Sequence, residues 1–242
     1  MEEGIKKLPK IFCVIPAFNE EDKIAATVNS VKPYVQDIIV VDDGSRDHTH
    51  ARALRTGAVV LRHIVNRGQG AALQTGSEFA LKSGADIIVH FDADGQFLAS
   101  EIKDMISPLI RGECDVVFGS RFMSKKSNLP WFKKNIIYPV SRIVNDYLLS
   151  GSKLSDPQNG FRALSRLAAE RINIQNDGMA HNSEIQKKTA KNFSYREVPV
   201  TVKYSAFGQG IFSGKGRGAG GFKILIDLFL SKLTDQGDYG KD

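Results

Sequence analysis

The chain has 242 residues, enough for one α/β domain with a full core, and 33 Lys and Arg against 27 Asp and Glu give a formal charge of +6. This modest basic balance favours an anionic partner such as nucleic acid, an anionic lipid or a sugar nucleotide. The short charged start is no secretory signal, and no apolar run reaches the roughly 20 residues of a membrane-spanning helix. The only cysteines, Cys13 and Cys114, lie in or beside apolar runs, which predicts reduced core thiols in a cytosolic protein.

The first ninety residues alternate between short apolar runs and segments with helical patterning. Strands are predicted at residues 11–15, 38–41 and 58–64, and helices up to about residue 31, at 48–56 and at 71–82. Pro16 is expected to stop the first strand, and Asn19 with the acids after it to begin the first helix. This order predicts parallel strands with right-handed crossovers, and in such sheets ligands bind beyond the carboxyl ends of the strands.

The most informative stretch is an apolar run at residues 87–91 that ends in Asp92-Ala93-Asp94-Gly95-Gln96. Alternate side chains of a strand share one side, so Asp92 and Asp94 are expected to project together. Two carboxylates held this close favour a hard cation, Mg²⁺ or Mn²⁺, completed by water and substrate phosphate. The plain structural alternative is a polar turn closed by Gly95. Phe97 disfavours a calcium-binding loop, and Gln96 disfavours an aspartyl-nucleophile phosphatase.

A second pair of carboxylates, Asp42 and Asp43, follows the second predicted strand. A carboxylate at a strand tip accepts hydrogen bonds from a ribose or base more readily than it binds phosphate, which indicates the nucleoside end of a ligand. For one of the pair, and for Asp42 in particular, a turn residue capping Ser45 is the alternative. Glycine spacing disfavours a dinucleotide-binding motif, because the turn after the first strand has no glycine. It also disfavours a phosphate loop, because Gly214-Lys215 lacks the upstream glycine.

The second half of the chain is predicted to hold further helices, strands and two basic segments. A helix at 98–111, a strand at 115–118 and a basic, aromatic loop at 122–134 precede an amphipathic helix at 136–150. The loop could stack bases of single-stranded nucleic acid or lie at a membrane interface. A constrained turn at 156–162 is expected to lead into a helix ending at Arg171. After a helix carrying Glu184 and a strand at 195–204 come a Gly-rich basic loop at 207–221 and an apolar helix at 222–233.

The predicted organisation is therefore an N-terminal arm at residues 1–10 and a single α/β domain at 11–205. Residues 206–242 follow as a Gly-rich basic loop and amphipathic helix that could contact a membrane surface or a substrate.

Several motifs in series resemble those of the inverting family-2 glycosyltransferases. Among these, the resemblance is strongest to the dolichyl- and polyprenyl-phosphate mannose and glucose synthases. The matching motifs are Ile15-Pro16-Ala17-Phe18-Asn19-Glu20, Val41-Asp42-Asp43-Gly44-Ser45, Asn66-Arg67-Gly68, Asp92-Ala93-Asp94-Gly95-Gln96, Gly119-Ser120-Arg121, Asp156-Pro157 with Gly160-Phe161, and Glu197-Val198-Pro199. The resemblance implies the type A nucleotide-diphosphosugar transferase fold, a Rossmann-like and mostly parallel central sheet flanked by helices.

The resemblance also implies roles for residues at the matching positions. Asp92, Asp94 and Gln96 would hold Mg²⁺ or Mn²⁺, and Arg121 would lie near the diphosphate or the acceptor phosphate. Lys133 and Lys215 would contact the acceptor phosphate, although the Arg-Gly-x-Ser-Lys element of the family is altered around Lys215. The residues expected to bind the nucleotide sugar are Pro16, Ala17, Phe18, Glu20, Asp43, Arg67 and Ala93.

The reaction expected from this resemblance is transfer of a hexose from a GDP- or UDP-sugar to a lipid-linked acceptor, with inversion. The enzyme would work in the cytoplasm, on the inner face of a membrane, with no nucleic-acid partner. An acceptor phosphate needs no general base, whereas a sugar hydroxyl would need one, for which Asp156 and then Glu184 are the candidates. A nucleotidyltransferase and a nucleic-acid-binding protein remain as alternatives of other classes.

Overall fold

The computed structural model describes residues 8–123, 154–178 and 180–203. Seven strands within these ranges form one mixed sheet in the order β3-β2-β1-β4-β6-β5-β7. The strands are β1 Ile11–Ala17, β2 Asp37–Asp42, β3 Val59–Arg62, β4 Ile87–His90, β5 Val116–Ser120, β6 Arg162–Ser165 and β7 Tyr195–Pro199. The α-helices are α1 Ile24–Val31, α2 Thr49–Leu54, α3 Gln69–Lys82, α4 Ile102–Ile110, α5 Arg166–Arg171 and α6 His181–Asn192.

Helices cover both faces of this sheet. The central strands β1 and β4 are therefore buried along their whole length. Side chains of α1, α2 and α4 join the apolar cluster on one face, and those of α3, α5 and α6 join the cluster on the other. Helix α3 lies close on the sheet at Gly76, where an added Cβ would come within 2.3 Å of Val14 Cγ1. The predicted α/β class with a mostly parallel sheet is confirmed.

Strand β6 is antiparallel to its neighbours β4 and β5, whereas β1 pairs in parallel with β2 and β4. The prediction that a helix follows the 156–162 turn directly is therefore wrong over residues 163–165, which belong to β6. The helix begins only at Arg166, after Ser165 Oγ accepts a hydrogen bond from the Ala168 amide at 3.2 Å. Four residues with a single large apolar side chain, Leu164, gave too weak a pattern to distinguish a strand from a helix.

The end of β1 and the start of α1 also differ from the prediction. Strand β1 continues through Pro16 to Ala17, because its pairing with β4 ends at Val14 and the missing amide hydrogen of proline is not needed there. Asn19 caps no helix: it has a φ of 54°, and its side chain accepts a hydrogen bond from the Arg46 amide at 3.0 Å. Helix α1 begins at Ile24 without an acid in its first turn.

Both cysteines are buried, as predicted: Cys13 in β1 is 0 % exposed and Cys114 before β5 is 8 % exposed. Burial raises the pKa of both thiols. Among the helices of the described ranges, none combines the length and the apolar character needed to cross a bilayer. Most of the predicted 122–134 loop, the 136–150 helix and everything after residue 203 lie outside the described residues.

Candidate active site

The carboxyl ends of β1, β2 and β4 border a cavity of about 410 Å³. These are the strand ends at which the sequence predicted a ligand site. Six of the seven residues expected to bind a nucleotide sugar line this cavity, namely Pro16, Ala17, Phe18, Glu20, Asp43 and Ala93. Phe18 keeps 38 % of its surface exposed, so its ring is open to a ligand. The seventh, Arg67, contributes its backbone instead: its amide donates to Asp43, and its side chain pairs with Asp177 at 3.7 Å.

The tip of β2 is a closed network of hydrogen bonds and ion pairs. Asp42 is fully buried, accepts a hydrogen bond from the Ser45 amide at 3.0 Å and pairs with Arg62 Nε at 3.1 Å. Its role is therefore that of a turn residue, the alternative that the sequence favoured for one member of this pair.

Asp43 organises the turn that leads into α3. Its oxygens accept hydrogen bonds from the amides of Arg67 at 2.9 Å and Gly68 at 2.7 Å, and from His63 Nδ1 at 2.7 Å. Gly68 has a φ of 111°, and a Cβ there would come within 2.2 Å of Asp177 O, so the turn needs glycine at this position. Asp43 thus borders the cavity while holding its wall in place.

The tip of β4 is arranged differently, and it is the acidic part of the cavity. Asp92 and Asp94 both line the cavity, and in the described ranges neither has a basic side chain at ion-pair distance. Asp92 Oδ1 accepts from Gln69 Nε2 at 2.9 Å, and Asp94 Oδ1 accepts from the Gln96 amide at 3.0 Å. Burial and the charge of Asp94 raise the pKa of Asp92 to about 7, against the opposing effects of Arg162, Gln69 and Arg121.

These oxygens fit a hard divalent cation, because a cation would offset both the burial and the repulsion that raise the pKa of Asp92. Burial also raises the pKa of Asp94. Within residues 8–123, 154–178 and 180–203, no three His, Cys, Asp or Glu side chains are placed together to hold a metal ion. A cation here would therefore need oxygen ligands from water or from a substrate. Gln96, the third predicted ligand, does not line the cavity; its carbonyl accepts from the Lys203 amide at 2.9 Å.

Asp156 and Arg121, both predicted to be catalytic, form a buried ion pair with each other. Arg121 Nε lies 2.6 Å from Asp156 Oδ2, and Nη2 lies 2.8 Å from Oδ1. The Arg121 amide and Asn159 Nδ2 also donate to Oδ2, at 3.0 and 3.1 Å. This side-on geometry between a fork of donors and a carboxylate is the strongest form of such a pair.

Glu184, the second candidate base, lies at the start of α6 and holds the segment before that helix. It accepts from the amides of Gln175 and Asn176 and from Lys188 Nζ at 2.7 Å. Burial raises the pKa of Glu184, but the bonds from Lys188, Asn176 and Gln175 outweigh this effect and keep the pKa below its usual value. Glu184 does not line the cavity. Lys133 and Lys215 lie outside the described residues.

Four lining residues were not among the sequence predictions: Asn66, Gly68, Gln69 and Ala72. All belong to the turn before α3 or to its first turn. The sequence did indicate this region, because the predicted helix at 71–82 begins at the ligand-binding edge of a parallel sheet. At that edge the first amides of a helix face a ligand.

Comparison with known proteins decides the family. Residues 12–172 match the family described as glycosyl transferase family 2. The chain is a family-2 glycosyltransferase. An uncharacterised protein of Methanocaldococcus jannaschii is 36 % identical to this enzyme over 233 residues and covers 93 % of each chain. The UDP-N-acetylglucosamine–dolichyl-phosphate N-acetylglucosaminyltransferase of Methanococcus voltae is 33 % identical over 92 % of this chain and 96 % of its own.

Two further similarities connect this glycosyltransferase to the predicted subgroup and fold. The polyprenol monophosphomannose synthase of Mycolicibacterium smegmatis is 28 % identical over 91 % of this chain and 87 % of its own. The glucosyl-3-phosphoglycerate synthase of Mycobacterium tuberculosis, solved with Mn²⁺ and UDP-glucose, superposes with a TM-score of 0.69 at 20 % identity, over 93 % of this chain and 79 % of that one. This structural similarity confirms the type A fold that the sequence motifs implied.

Proposed function

We propose that this glycosyltransferase transfers a hexosyl unit, N-acetylhexosamine included, from a UDP- or GDP-sugar to a polyprenyl or dolichyl phosphate. The observation that carries the proposal is the tip of β4, where Asp92 and Asp94 face a cavity beside the predicted nucleoside-binding residues. The dolichyl-phosphate and polyprenol-phosphate enzymes among its relatives support the lipid acceptor. The neighbour solved with Mn²⁺ and UDP-glucose supports a nucleotide-sugar donor with a divalent ion.

The donor would lie across the cavity from the tip of β1 to the tip of β4. Phe18 offers a partly exposed aromatic ring to the base, and Asp43 borders the ribose end. Asp92 and Asp94 would hold Mg²⁺ or Mn²⁺ at the diphosphate end. Bound there, the ion would stabilise the negative charge that grows on the leaving nucleoside diphosphate.

The proposed step is an in-line displacement at the anomeric carbon. An oxygen of the acceptor phosphate attacks that carbon from the side opposite the leaving group, and a new carbon–oxygen bond forms as the bond to the diphosphate breaks. The electron pair of the broken bond leaves with the nucleoside diphosphate. The configuration inverts because the acceptor attacks from the face opposite the leaving group. The acceptor phosphate is ionised at neutral pH, and the step therefore needs positioning rather than proton removal.

The surroundings of the two candidate bases favour a phosphate acceptor over a sugar hydroxyl. Both oxygens of Asp156 accept hydrogen bonds from Arg121, and both oxygens of Glu184 are likewise bonded. A hydroxyl acceptor would need one of these carboxylates to take a proton, at the cost of its bonds. Arg121, Lys133 and Lys215 remain the proposed contacts for the acceptor phosphate, and a lipid-linked acceptor would bring the enzyme to the inner face of a membrane.

A transfer assay with matched acceptors tests this proposal. UDP-N-acetylglucosamine, UDP-glucose and GDP-mannose are each offered with polyprenyl phosphate, and separately with the dephosphorylated polyprenol and a simple glycoside. We expect product only with polyprenyl phosphate, with one donor preferred, and loss of product on chelation that excess Mn²⁺ restores. Transfer to the glycoside alone would contradict the proposed phosphate acceptor. Transfer that resists the chelator would contradict the proposed role of a divalent ion.

A further inference from the structure

Arg162 lies inside the protein beside the acidic tip of β4. It is the first residue of β6 and stands opposite His90, the last residue of β4, two positions before Asp92. Arg162 is 1 % exposed, and its Nε donates to Gly160 O at 3.2 Å. Its Nη2 donates to Asn182 Oδ1, while Nη1 is buried and has no hydrogen-bond partner among the described residues. These contacts fix the guanidinium but do not neutralise its charge.

The charge that Arg162 feels most is that of Asp92. Within the described ranges no carboxylate lies at ion-pair distance from Arg162. Burial lowers the pKa of Arg162 to about 10, and the charge of Asp92 acts in the opposite direction. His90 and His181 lie nearby, and burial and then Arg162 lower the pKa of both, so both are neutral at pH 7. Arg121 also acts on Asp92, but it is paired with Asp156. Among the described residues, Arg162 is therefore a buried positive charge next to the two site carboxylates with no carboxylate at ion-pair distance.

We propose that Arg162 sets the order of binding at this site, by weakening the hold of Asp92 and Asp94 on a divalent ion until a nucleotide diphosphate is present. Two carboxylates and one arginine sum to a charge of about −1, and a divalent ion alone would leave the buried site positive. The diphosphate supplies further negative charge and oxygen ligands, which reverses that balance. The ion would then enter and leave together with the nucleotide. This inference rests on the proposed function and deepens it.

Metal binding measured without turnover tests the inference. The binding of Mn²⁺ to the full chain is followed by the spin resonance signal of the free ion, with and without UDP or GDP, for the native protein and for Arg162→Gln. Working anaerobically at about pH 8.5 keeps Asp92 ionised, so that a change in its protonation does not hide the effect. We expect weak binding to the native protein alone and binding at least about tenfold tighter to nucleotide-free Arg162→Gln.

Two controls separate charge from packing. Asn182→Ala removes the hydrogen-bond acceptor of Arg162 but leaves the charge, and Arg55→Gln removes one exposed positive charge at the end of α2. Neither should change Mn²⁺ binding. A thermal melt establishes that each variant is folded. If Arg162→Gln does not fold, the native protein decides the question through the ratio of its Mn²⁺ affinities with and without nucleotide.

The outcomes are distinct. Arg162→Gln binding Mn²⁺ no more tightly than the native protein would overturn the role of Arg162, and so would equal tightening by Asn182→Ala. Native protein that binds Mn²⁺ equally well with and without nucleotide would also overturn it, while leaving the proposed metal site in place. No Mn²⁺ binding by any variant with any nucleotide would overturn the proposed function itself.

Discussion

The tips of β2 and β4 have the same sequence character and opposite physical states. Each is a buried strand that ends in two carboxylates near one cavity. At the β2 tip, Asp42 accepts from the Ser45 amide and pairs with Arg62, and Asp43 accepts from two backbone amides and from His63. At the β4 tip, burial and the charge of Asp94 raise the pKa of Asp92 to about 7.

This difference separates a structural pair from a binding pair. Buried carboxylates that serve the fold are paired, because an unpaired buried charge costs several kcal/mol. A pair left with its repulsion is tolerated where a ligand later removes it, which is how perturbed pKa values come to mark functional sites. The contrast predicts that one tip matters mainly to stability and the other mainly to activity.

The largest effect is expected from the β4 tip. Asp92→Asn should lower kcat/KM by about a thousandfold or more, because the proposed divalent ion at the leaving diphosphate would lose a charged ligand. Its unfolding free energy should stay the same or rise, since the repulsion with Asp94 disappears. Initial rates and urea unfolding measure the two quantities. A variant that loses activity only because it unfolds would remove the distinction between the tips.

The next effect concerns stability at the β2 tip. Asp43→Ala should lower the unfolding free energy by about 3 kcal/mol, because it leaves the amides of Arg67 and Gly68 and the His63 ring without their acceptor. Urea unfolding at neutral pH measures the loss. Asp22→Ala, at a carboxylate whose side chain is 89 % exposed, is the control and should change stability little. A stable Asp43→Ala variant would mean that the network is incidental.

A pH series sharpens the comparison further. The pKa of Asp92 in the folded protein, about 7, lies above its unfolded value near 3.8, so stability from this group is lost as pH rises through 7. Asp92→Asn cannot ionise, and its stability advantage over the native protein should grow by about 2 kcal/mol between about pH 5 and 8. Unfolding of both proteins across that range gives the difference. An advantage that stays flat with pH would show that Asp92 ionises normally.

The native protein and Asp92→Asn share a contribution of His181 to stability, and its dependence on pH is opposite in sign to that of Asp92. The pKa of His181 is lowered to about 4, from 6.5, chiefly by burial. Stability from this group is present above pH 6.5 and is lost as the pH falls toward 4, and it cancels in the difference.

The smallest effect is expected at Gln69, which joins the two tips through the turn before α3. Gln69→Leu removes the hydrogen bond to Asp92 and should weaken donor binding about threefold to tenfold, with little change in melting temperature. Calorimetric titration with UDP or GDP and Mn²⁺ measures it. Unchanged affinity would mean that Asp92 is positioned without Gln69.

The sequence predicted the first half of the fold well because its strands are apolar and its helices alternate with them. It missed β6, where four residues carry too little pattern. It also misplaced the start of α1, because the side chains of Asn19 and Glu21 accept hydrogen bonds from the amides of Arg46 and His48 in the loop before α2 instead.

At the site, Asp43, Asp92 and Asp94 could be predicted because they directly follow apolar strands in the sequence. Arg162 escaped notice, because its importance comes from an antiparallel pairing with β4 and from burial, neither of which local spacing records.

The two buried thiols have a practical consequence for all these measurements. Because Cys13 and Cys114 are shielded and are the only cysteines in the chain, the native protein should be nearly silent toward maleimide dyes. A third cysteine introduced at Ile64, whose side chain is fully exposed two positions before Asn66 on the cavity wall, would then carry a fluorophore alone and report nucleotide arrival in real time.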